Sequence, residues 1–313
     1  MDRAKSVELA YQRGKELNLN NKNYLSWLEK FFDQEYKEDI SSGDITSEAI
    51  LTKNKLGRAI LKAKQSGIVG GIEEVIWFYK KHDLKVEICI GDAEKIKKGN
   101  TILEVLGRRR DILATERIGL NVLQRMSGIT TETRRLANLL KGYSTRIAAT
   151  RKTHLRYLDK KAVFLGGGLT HRFGLWDSIL IKDNHLEALK RDGIRNPVEK
   201  AITLASQFVD RVGFIEIEIT EQDDAIKATR TFKELTLTKP CIIMLDNSTP
   251  NDIEQIIKTL KSENLYGYAL LEASGNITPE NMKEYAETGI DVVSLGYLTH
   301  SARSFDMSLE MIL

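Results

Sequence analysis

Four cations in the middle of the chain, Arg151, Lys152, Arg172 and Lys182, each follow a short apolar run, and His171 stands beside the third. Guanidinium groups match carboxylates and phosphates with paired hydrogen bonds, whereas a lysine meets phosphate oxygens as a point charge. Two such cations ~4 Å apart repel by ~4 kcal/mol at an effective dielectric of about 20, so a convergent cluster demands an anion of two or more charges. Acids come next. Glutamate and isoleucine alternate through Ile215-Glu216-Ile217-Glu218-Ile219, and a period of two sends both glutamates to one face. Asp246 ends the apolar run 241–245. Carboxylates gathered there suit a magnesium ion shared with substrate phosphates, or a cationic transition state. An edge strand with exposed glutamates is the alternative. Two glycine turns complete the set: Ser274-Gly275-Asn276 before a helix near Pro279, and Gly296 before Thr299-His300-Ser301. Backbone N–H groups in such turns favour phosphate, although turns of this kind also follow strands for geometric reasons alone.

These residues need a scaffold that brings strand ends together. From Ser144 onward, short apolar runs at 145–149, 162–165, 179–181, 214–219, 242–245, 268–271 and 292–295 read as strands. Helical segments near 198–208, 221–232, 250–261 and 279–287 lie between the later ones. The alternation predicts a parallel sheet, and seven repeats predict a closed or nearly closed α/β barrel, with chemistry at the carboxyl ends of the strands. A doubly wound open sheet competes, but the residues at the strand ends favour the barrel. Earlier in the chain, a helical stretch around 24–32 and alternating runs at 58–63, 86–90 and 101–106 predict a small α+β domain. A helix over 111–126 is expected to bend or end at Ser127-Gly128, with a second over 131–140.

The 313 residues carry 47 basic and 44 acidic side chains, a formal net charge of +3, with 42% apolar and 29% charged residues. That length allows one large or two ordinary domains. The balance excludes disordered and collagen-like chains and gives no support to nucleic acid as a partner. Cys89 and Cys241 are isolated, so neither a disulfide framework nor a zinc site is readable. The polar start, MDRAKSVELAYQRGKELNLNNKNY, lacks the apolar core of a signal peptide, and no run approaches the length of a membrane span. A cytoplasmic location without membrane attachment is the expectation. The first 24 or so residues carry no assignable role.

The helix string Glu116-Arg117-Ile118-Gly119-Leu120-Asn121 resembles that of the quinolinate phosphoribosyltransferases, also called carboxylating nicotinate-nucleotide pyrophosphorylases. So do TRKT at 150–153, GGGLTHRFGL at 166–175, LIKDNH at 180–185, IEIE at 215–218, IMLDN at 243–247, LEASG at 271–275 and LTHSA at 298–302. Glu38-Asp39, Gly43-Asp44-Ile45-Thr46 and Gly70-Gly71 extend the resemblance over roughly residues 35 to 313. The resemblance implies an N-terminal α/β sandwich domain over 1–128, to which ~303–313 returns, and a C-terminal seven-stranded incomplete α/β barrel over 129–302. It implies phosphoribosyl transfer from phosphoribosyl pyrophosphate to quinolinate with decarboxylation, giving nicotinate mononucleotide for NAD biosynthesis. Magnesium is the implied cofactor. A homodimer with shared active sites, or a higher oligomer, is the implied assembly.

By motif, the resemblance makes Arg117 a contribution to the other subunit's site, while Arg151, His171 and Arg172 hold the pyridine dicarboxylate. Lys152 and Lys182 become catalytic contacts to phosphoribosyl pyrophosphate or the acid. Glu218, its neighbour Glu216 and Asp246 serve the ribose, with Glu218 and Asp246 as magnesium ligands. Ser274, Gly275 and Gly296 hold the 5′-phosphate, with His300 and Ser301 in the last loop.

The sequence departs from the family pattern where Thr153 runs straight into His154-Leu155-Arg156, in a loop two residues shorter. It also departs at Ile118 and Gly119, at Thr170 in place of Asn, and at Asn276 in place of a second glycine. His154 reads as a surface residue ahead of a substitute contact. These departures motivate a rival reading, a same-fold enzyme for another carboxylated heteroaromatic ring. A non-catalytic anion-binding relative and a Schiff-base aldolase acting through Lys182 are the other classes.

Overall fold

The Glu–Ile alternation forms strand Ile215–Ile219, an inner strand of a six-stranded parallel sheet. In spatial order the sheet runs Arg146–Ala148, Val292–Ser294, Leu270–Ser274, Cys241–Asp246, Ile215–Ile219 and Ile179–Ile181. Helices Asp183–Arg191, Pro197–Ser206, Gln222–Leu235, Pro250–Ser262 and Met282–Glu287 connect the strands. Pro197 and Pro250 open two of them, where a missing N–H costs nothing. In register, Glu216 lies opposite Ile242, and Glu218 opposite Met244, which in turn faces Glu272. Glu218 and Glu272 are therefore level across the sheet.

The computed structural model describes residues 2–312. They divide into two compact units, each made of separated segments: 2–13, 136–153 and 168–297 form one, and 14–135, 154–167 and 298–312 the other. The expected boundaries, 1–128 with ~303–313 and 129–302, differ from this division at residues 2–13, 129–135, 154–167 and 298–302.

The expected seven strands are six. The run 162–165 lies in helix Arg156–Gly166, where Leu158, Ala162 and Val163 share a buried face and Gly167, in the left-handed region at φ 95°, ends the helix. Four apolar residues fit either period, so the run could not be told from a strand by pattern. A single bridge between Ala148 and Leu169 stands where the seventh strand was expected.

The first unit also contains the amino-terminal helix Arg3–Tyr11. Its Val7, Ala10 and Tyr11 join one buried cluster with Phe214, Ile242, Leu270 and Val292, at or near the starts of their strands, and with Ala148 at the end of its strand. Burying a side chain of the size of Tyr11 contributes about 2–3 kcal/mol.

The other unit carries a four-stranded antiparallel sheet in the order Met307–Ile312, Leu56–Ala63, Thr101–Arg108 and Lys85–Ile88. The final strand pairs with the first along its length, from Arg58–Ile312 to Ala63–Met307. Helices Lys22–Ile40 and Ile72–Lys81 pack through Phe32 and Phe78, whose rings stack at 4.5 Å. Helix Arg109–Leu139 is continuous through Ser127-Gly128, against the expected break. Gly128 is there because a Cβ would come within 1.9 Å of the Arg303 carbonyl oxygen in the returning segment. No described helix is long and apolar enough to cross a membrane.

Candidate active site

A cavity of about 520 Å³ opens at the carboxyl ends of the parallel strands. Of the residues singled out in the sequence, Arg151, Lys152, His171, Arg172, Lys182, Glu218, Asp246, Ser274 and Gly275 line it. Glu216 is fully buried beside His171. Gly296 follows strand Val292–Ser294 in the same unit but is not among the lining residues. Arg117, His300 and Ser301 belong to the other unit, where all three are exposed. Nδ1 of His300 lies 2.7 Å from Ser301 Oγ. His154, also in that unit, is exposed.

The cations reach the cavity by different means. Arg151 and Lys152 follow strand Arg146–Ala148 on an exposed turn in which Lys152 N donates to Thr150 Oγ1. Lys182 caps helix Asp183–Arg191 with its backbone, donating to His185 Nδ1 at 2.9 Å, and its ammonium group pairs with Glu218 Oε2 at 3.0 Å. Arg172 is buried and donates through Nη1 to the Ser178 carbonyl at 3.0 Å. Burial pulls its guanidinium pKa down, Glu216 opposes that, and the charge of Arg151 adds to it.

His171 sits at the floor with a left-handed backbone, φ 55°. Its Nε2 lies 3.4 Å from Glu216 Oε2 and 3.4 Å from Glu272 Oε2. Nδ1 accepts the Arg172 N–H at 2.7 Å, which puts the ring proton on Nε2 between the two carboxylates. Burial alone would strip this ring of a second proton, but Glu272 and Glu216 outweigh it and hold the pKa at about 9. Glu216 is pushed up to about 7, by burial first and by the charge of Glu272 second. Burial also raises Glu272, yet His171 and the Ser294 hydroxyl, which donates to it, bring its carboxyl below the ordinary value.

The wall opposite the cations is a set of tight turns. Asn247 and Asn276 adopt left-handed backbones at φ 54° and 51°, and Gly275 at 87°. Asn247 N donates to the Ser274 carbonyl at 2.8 Å, its side-chain amide donates to Asp246 Oδ2 at 2.7 Å, and its Oδ1 accepts from Asn276 at 2.9 Å. A Cβ on Gly275 would meet Asn247 Oδ1 at 2.3 Å, so only glycine fits there.

Glu218 and Asp246 place two carboxylates on the cavity, one oxygen of each engaged by Lys182 and Asn247 respectively. One or two carboxylates completed by substrate phosphates and water is a magnesium donor set, so these residues fit that ion. The one grouping of three candidate ligand atoms within 4.8 Å among the described residues is a different one, His171, Glu216 and Glu272.

Three departures from the family pattern have partners inside the chain. A Cβ at Gly119 would meet the hydroxyl of buried Tyr79 at 2.3 Å, so the glycine makes room for that ring. Thr170 Oγ1 accepts from Arg13 N at 2.8 Å and donates to the Tyr11 carbonyl at 3.0 Å. Asn276 tolerates the left-handed turn and bonds Asn247. Ile118 is buried in its helix.

Sequence reasoning passed over Glu272, Ser294 and Tyr11. Glu272 carried a readable signal, a lone carboxylate between Leu271 and Ala273 inside an apolar strand. Tyr11 carried none, because only the tertiary fold brings it to His171, 5.2 Å away and edge-on.

Two family models cover most of the chain: the quinolinate phosphoribosyl transferase N-terminal domain matches residues 44–127 and the C-terminal domain residues 129–310. A probable nicotinate-nucleotide pyrophosphorylase [carboxylating] of Methanocaldococcus jannaschii is 37% identical over 289 residues, 90% of this chain and 96% of that protein. One of Bacillus subtilis is 36% identical over 290 residues, 91% of this chain and 94% of its own. The crystal structure of NadC from Streptococcus pyogenes superposes with a TM-score of 0.80 at 31% identity, covering 92% of this chain and 98% of that one. The chain belongs to the quinolinate phosphoribosyl transferase family.

Proposed function

We propose that this protein transfers the phosphoribosyl group of phosphoribosyl pyrophosphate to the ring nitrogen of quinolinate and releases carbon dioxide and pyrophosphate, giving nicotinate mononucleotide for NAD biosynthesis. The observation that carries this reading is the division of one cavity between four cations and two carboxylates, Arg151, Lys152, Arg172 and Lys182 against Glu218 and Asp246. A dianionic acid and a polyanionic sugar need the first set. A sugar cation needs the second.

Arg151 and Arg172, with His171 beside them in the cavity, hold the two carboxylates of the acid and aim its nitrogen at the anomeric carbon. As pyrophosphate departs, that carbon gains positive charge, and a carboxylate such as Glu218 about 4 Å away stabilises it by ~4 kcal/mol, roughly a thousandfold in rate. Lys182, paired with Glu218 at 3.0 Å, orients that carboxylate. Ser274 and Gly275 offer a hydroxyl and a backbone N–H to the 5′-phosphate. Magnesium held by Glu218 and Asp246 would offset the charge of the pyrophosphate. Once the nitrogen is ribosylated, the adjacent carboxylate leaves as carbon dioxide, its bonding pair staying on the ring carbon as a carbanion that the pyridinium stabilises and a proton from water then quenches to C–H. That step asks the protein for orientation and charge complementarity and for no general base.

Arg117, exposed on its helix, is assigned to the site of a second copy in a homodimer. The cytoplasm is the assigned location. Because Gly119, Thr170 and Asn276 are each matched by a neighbour within the chain, their departures from the pattern favour an unchanged substrate over another heteroaromatic acid. Purified protein given quinolinate, phosphoribosyl pyrophosphate and magnesium is expected to release carbon dioxide and pyrophosphate in equal amounts. A folded dimer that releases neither overturns the proposal.

A further inference from the structure

The amino-terminal helix Arg3–Tyr11 has no part in the mechanism above, yet the chain that leaves it ties down the loop carrying His171 and Arg172. The Tyr11 carbonyl accepts from His171 N at 2.9 Å and from Thr170 Oγ1 at 3.0 Å. Gln12 Nε2 donates to the Gly168 carbonyl at 3.3 Å, and Arg13 N donates to Thr170 Oγ1 at 2.8 Å. The Arg13 guanidinium lies 3.5 Å from Asp177 Oδ1, and Asp177 Oδ2 accepts from Phe173 N at 2.7 Å. One short segment thus holds the loop at its start, its middle and its end. The helix itself is moored at the other end, where Arg3 Nε donates to Asp291 Oδ1 at 2.7 Å and Nη1 to the Tyr266 carbonyl at 2.6 Å.

Side-chain contacts converge on the same place. The Tyr11 ring stands edge-on to the His171 ring at 5.2 Å and stacks on Phe214 at 5.9 Å, while Phe214 meets His171 at 5.5 Å. Glu216 and Glu272 face Nε2, and Arg172 N faces Nδ1, so Tyr11 and Phe214 are the apolar walls of the imidazole. A left-handed backbone at a non-glycine residue persists only where its surroundings over-determine it. At His171 the Tyr11 carbonyl supplies part of that constraint.

We propose that Tyr11 is a positioning residue for His171: its carbonyl fixes the left-handed backbone and its ring fixes the plane of the imidazole that meets the acid. The effect on the acid rests on the function proposed above; the effect on the loop does not.

The test uses the full-length protein with Tyr11→Ala and Tyr11→Phe. The alanine variant is expected to raise KM for quinolinate about tenfold while kcat and KM for phosphoribosyl pyrophosphate move less than about twofold. Tyr11→Phe, which keeps ring and carbonyl, restores the quinolinate KM. A folded alanine variant with unchanged quinolinate KM, or with both KM values raised together, overturns the proposal. Thr170→Val, a gentler change that deletes the hydroxyl between the Tyr11 carbonyl and Arg13 N, guards against an alanine variant that does not fold. Amide hydrogen exchange over 168–173 in the ligand-free protein is expected to be faster in Thr170→Val and Tyr11→Ala than in the parent. Equal exchange overturns the proposal. Faster exchange in a protein that never turns over quinolinate upholds the positioning role and overturns the function instead.

Discussion

The molecule buries two clusters of the same outline, a cation between two glutamates with a tyrosine beside them. In the unit with the antiparallel sheet, Lys161 donates to Glu73 and Glu74, its ammonium lies 5.6 Å from the centre of the Tyr24 ring, and the Tyr24 hydroxyl donates to Glu74 at 2.6 Å. In the unit with the parallel sheet, His171 faces Glu216 and Glu272, with Tyr11 alongside. The first cluster is nearly saturated, with only Glu74 Oε2 lacking a bond. The second leaves the Tyr11 hydroxyl, both Glu216 oxygens and Glu272 Oε2 without one, beneath an open cavity. Buried polar groups are rarely left unpaired unless something other than stability keeps them. The saturated cluster is therefore a fastening, whereas the deficient one keeps unpaired carboxylate oxygens next to the cavity.

The sharpest way to break this contrast is to remove one cation from each side. Lys161→Met strands a buried acid pair and is expected to cost about 3–5 kcal/mol, a fall in melting temperature of about 10 °C, with kcat/KM per folded molecule unchanged. Loss of activity without loss of stability there would show the fastening to be part of the site. The second effect appears on changing pH. The His171 pKa of about 9 in the fold exceeds the ordinary 6.5, so its contribution, at most about 3 kcal/mol, is complete below pH 6.5 and lost as the pH rises through about 9. Glu216, held up to about 7, acts with the same sign over a lower range. Urea melts from pH 6 to 10 should show this decline in the parent and a flatter profile in His171→Gln. Arg172→Ala is expected to lower kcat/KM for quinolinate about a hundredfold, with a smaller change in melting temperature than Lys161→Met. The smallest effect belongs to Tyr24→Phe, which removes one hydrogen bond from the saturated cluster and should cost about 1–2 kcal/mol by thermal melts with no change in kinetics.

What the sequence disclosed follows from range. The strand Ile215–Ile219 was legible because its alternation is local and extreme, and the cations after 149 and 181 were legible because barrel chemistry collects where strands end, whereas Arg172 was found through an expected strand that is a helix. The run 162–165 was not legible, since its helical character depends on Leu158 and on a cap at Gly167. Gly128 read as a break because the reason for it, the Arg303 carbonyl, lies 175 residues away. Tyr11 was missed for the same reason, and Glu272, though visible as a lone carboxylate in an apolar strand, was given no role. Each has its meaning only beside His171, and no window of sequence holds all three.

The pairing of Met307–Ile312 with Leu56–Ala63 also bears on how the chain is made. A ribosome adding ~5–20 residues per second delivers the second strand tens of seconds or so after the first. Throughout that interval Leu56–Ala63 waits with an open edge, a template for any extended chain nearby. The amino-terminal helix waits likewise, since the strands whose starts it covers emerge one after another up to Val292–Ser294. Neither sheet is complete before its last strand in sequence has been made, Val292–Ser294 in the one unit and Met307–Ile312 in the other. A nascent chain stalled before residue 307 is left with the Leu56–Ala63 edge open, a client for chaperones instead of half an enzyme.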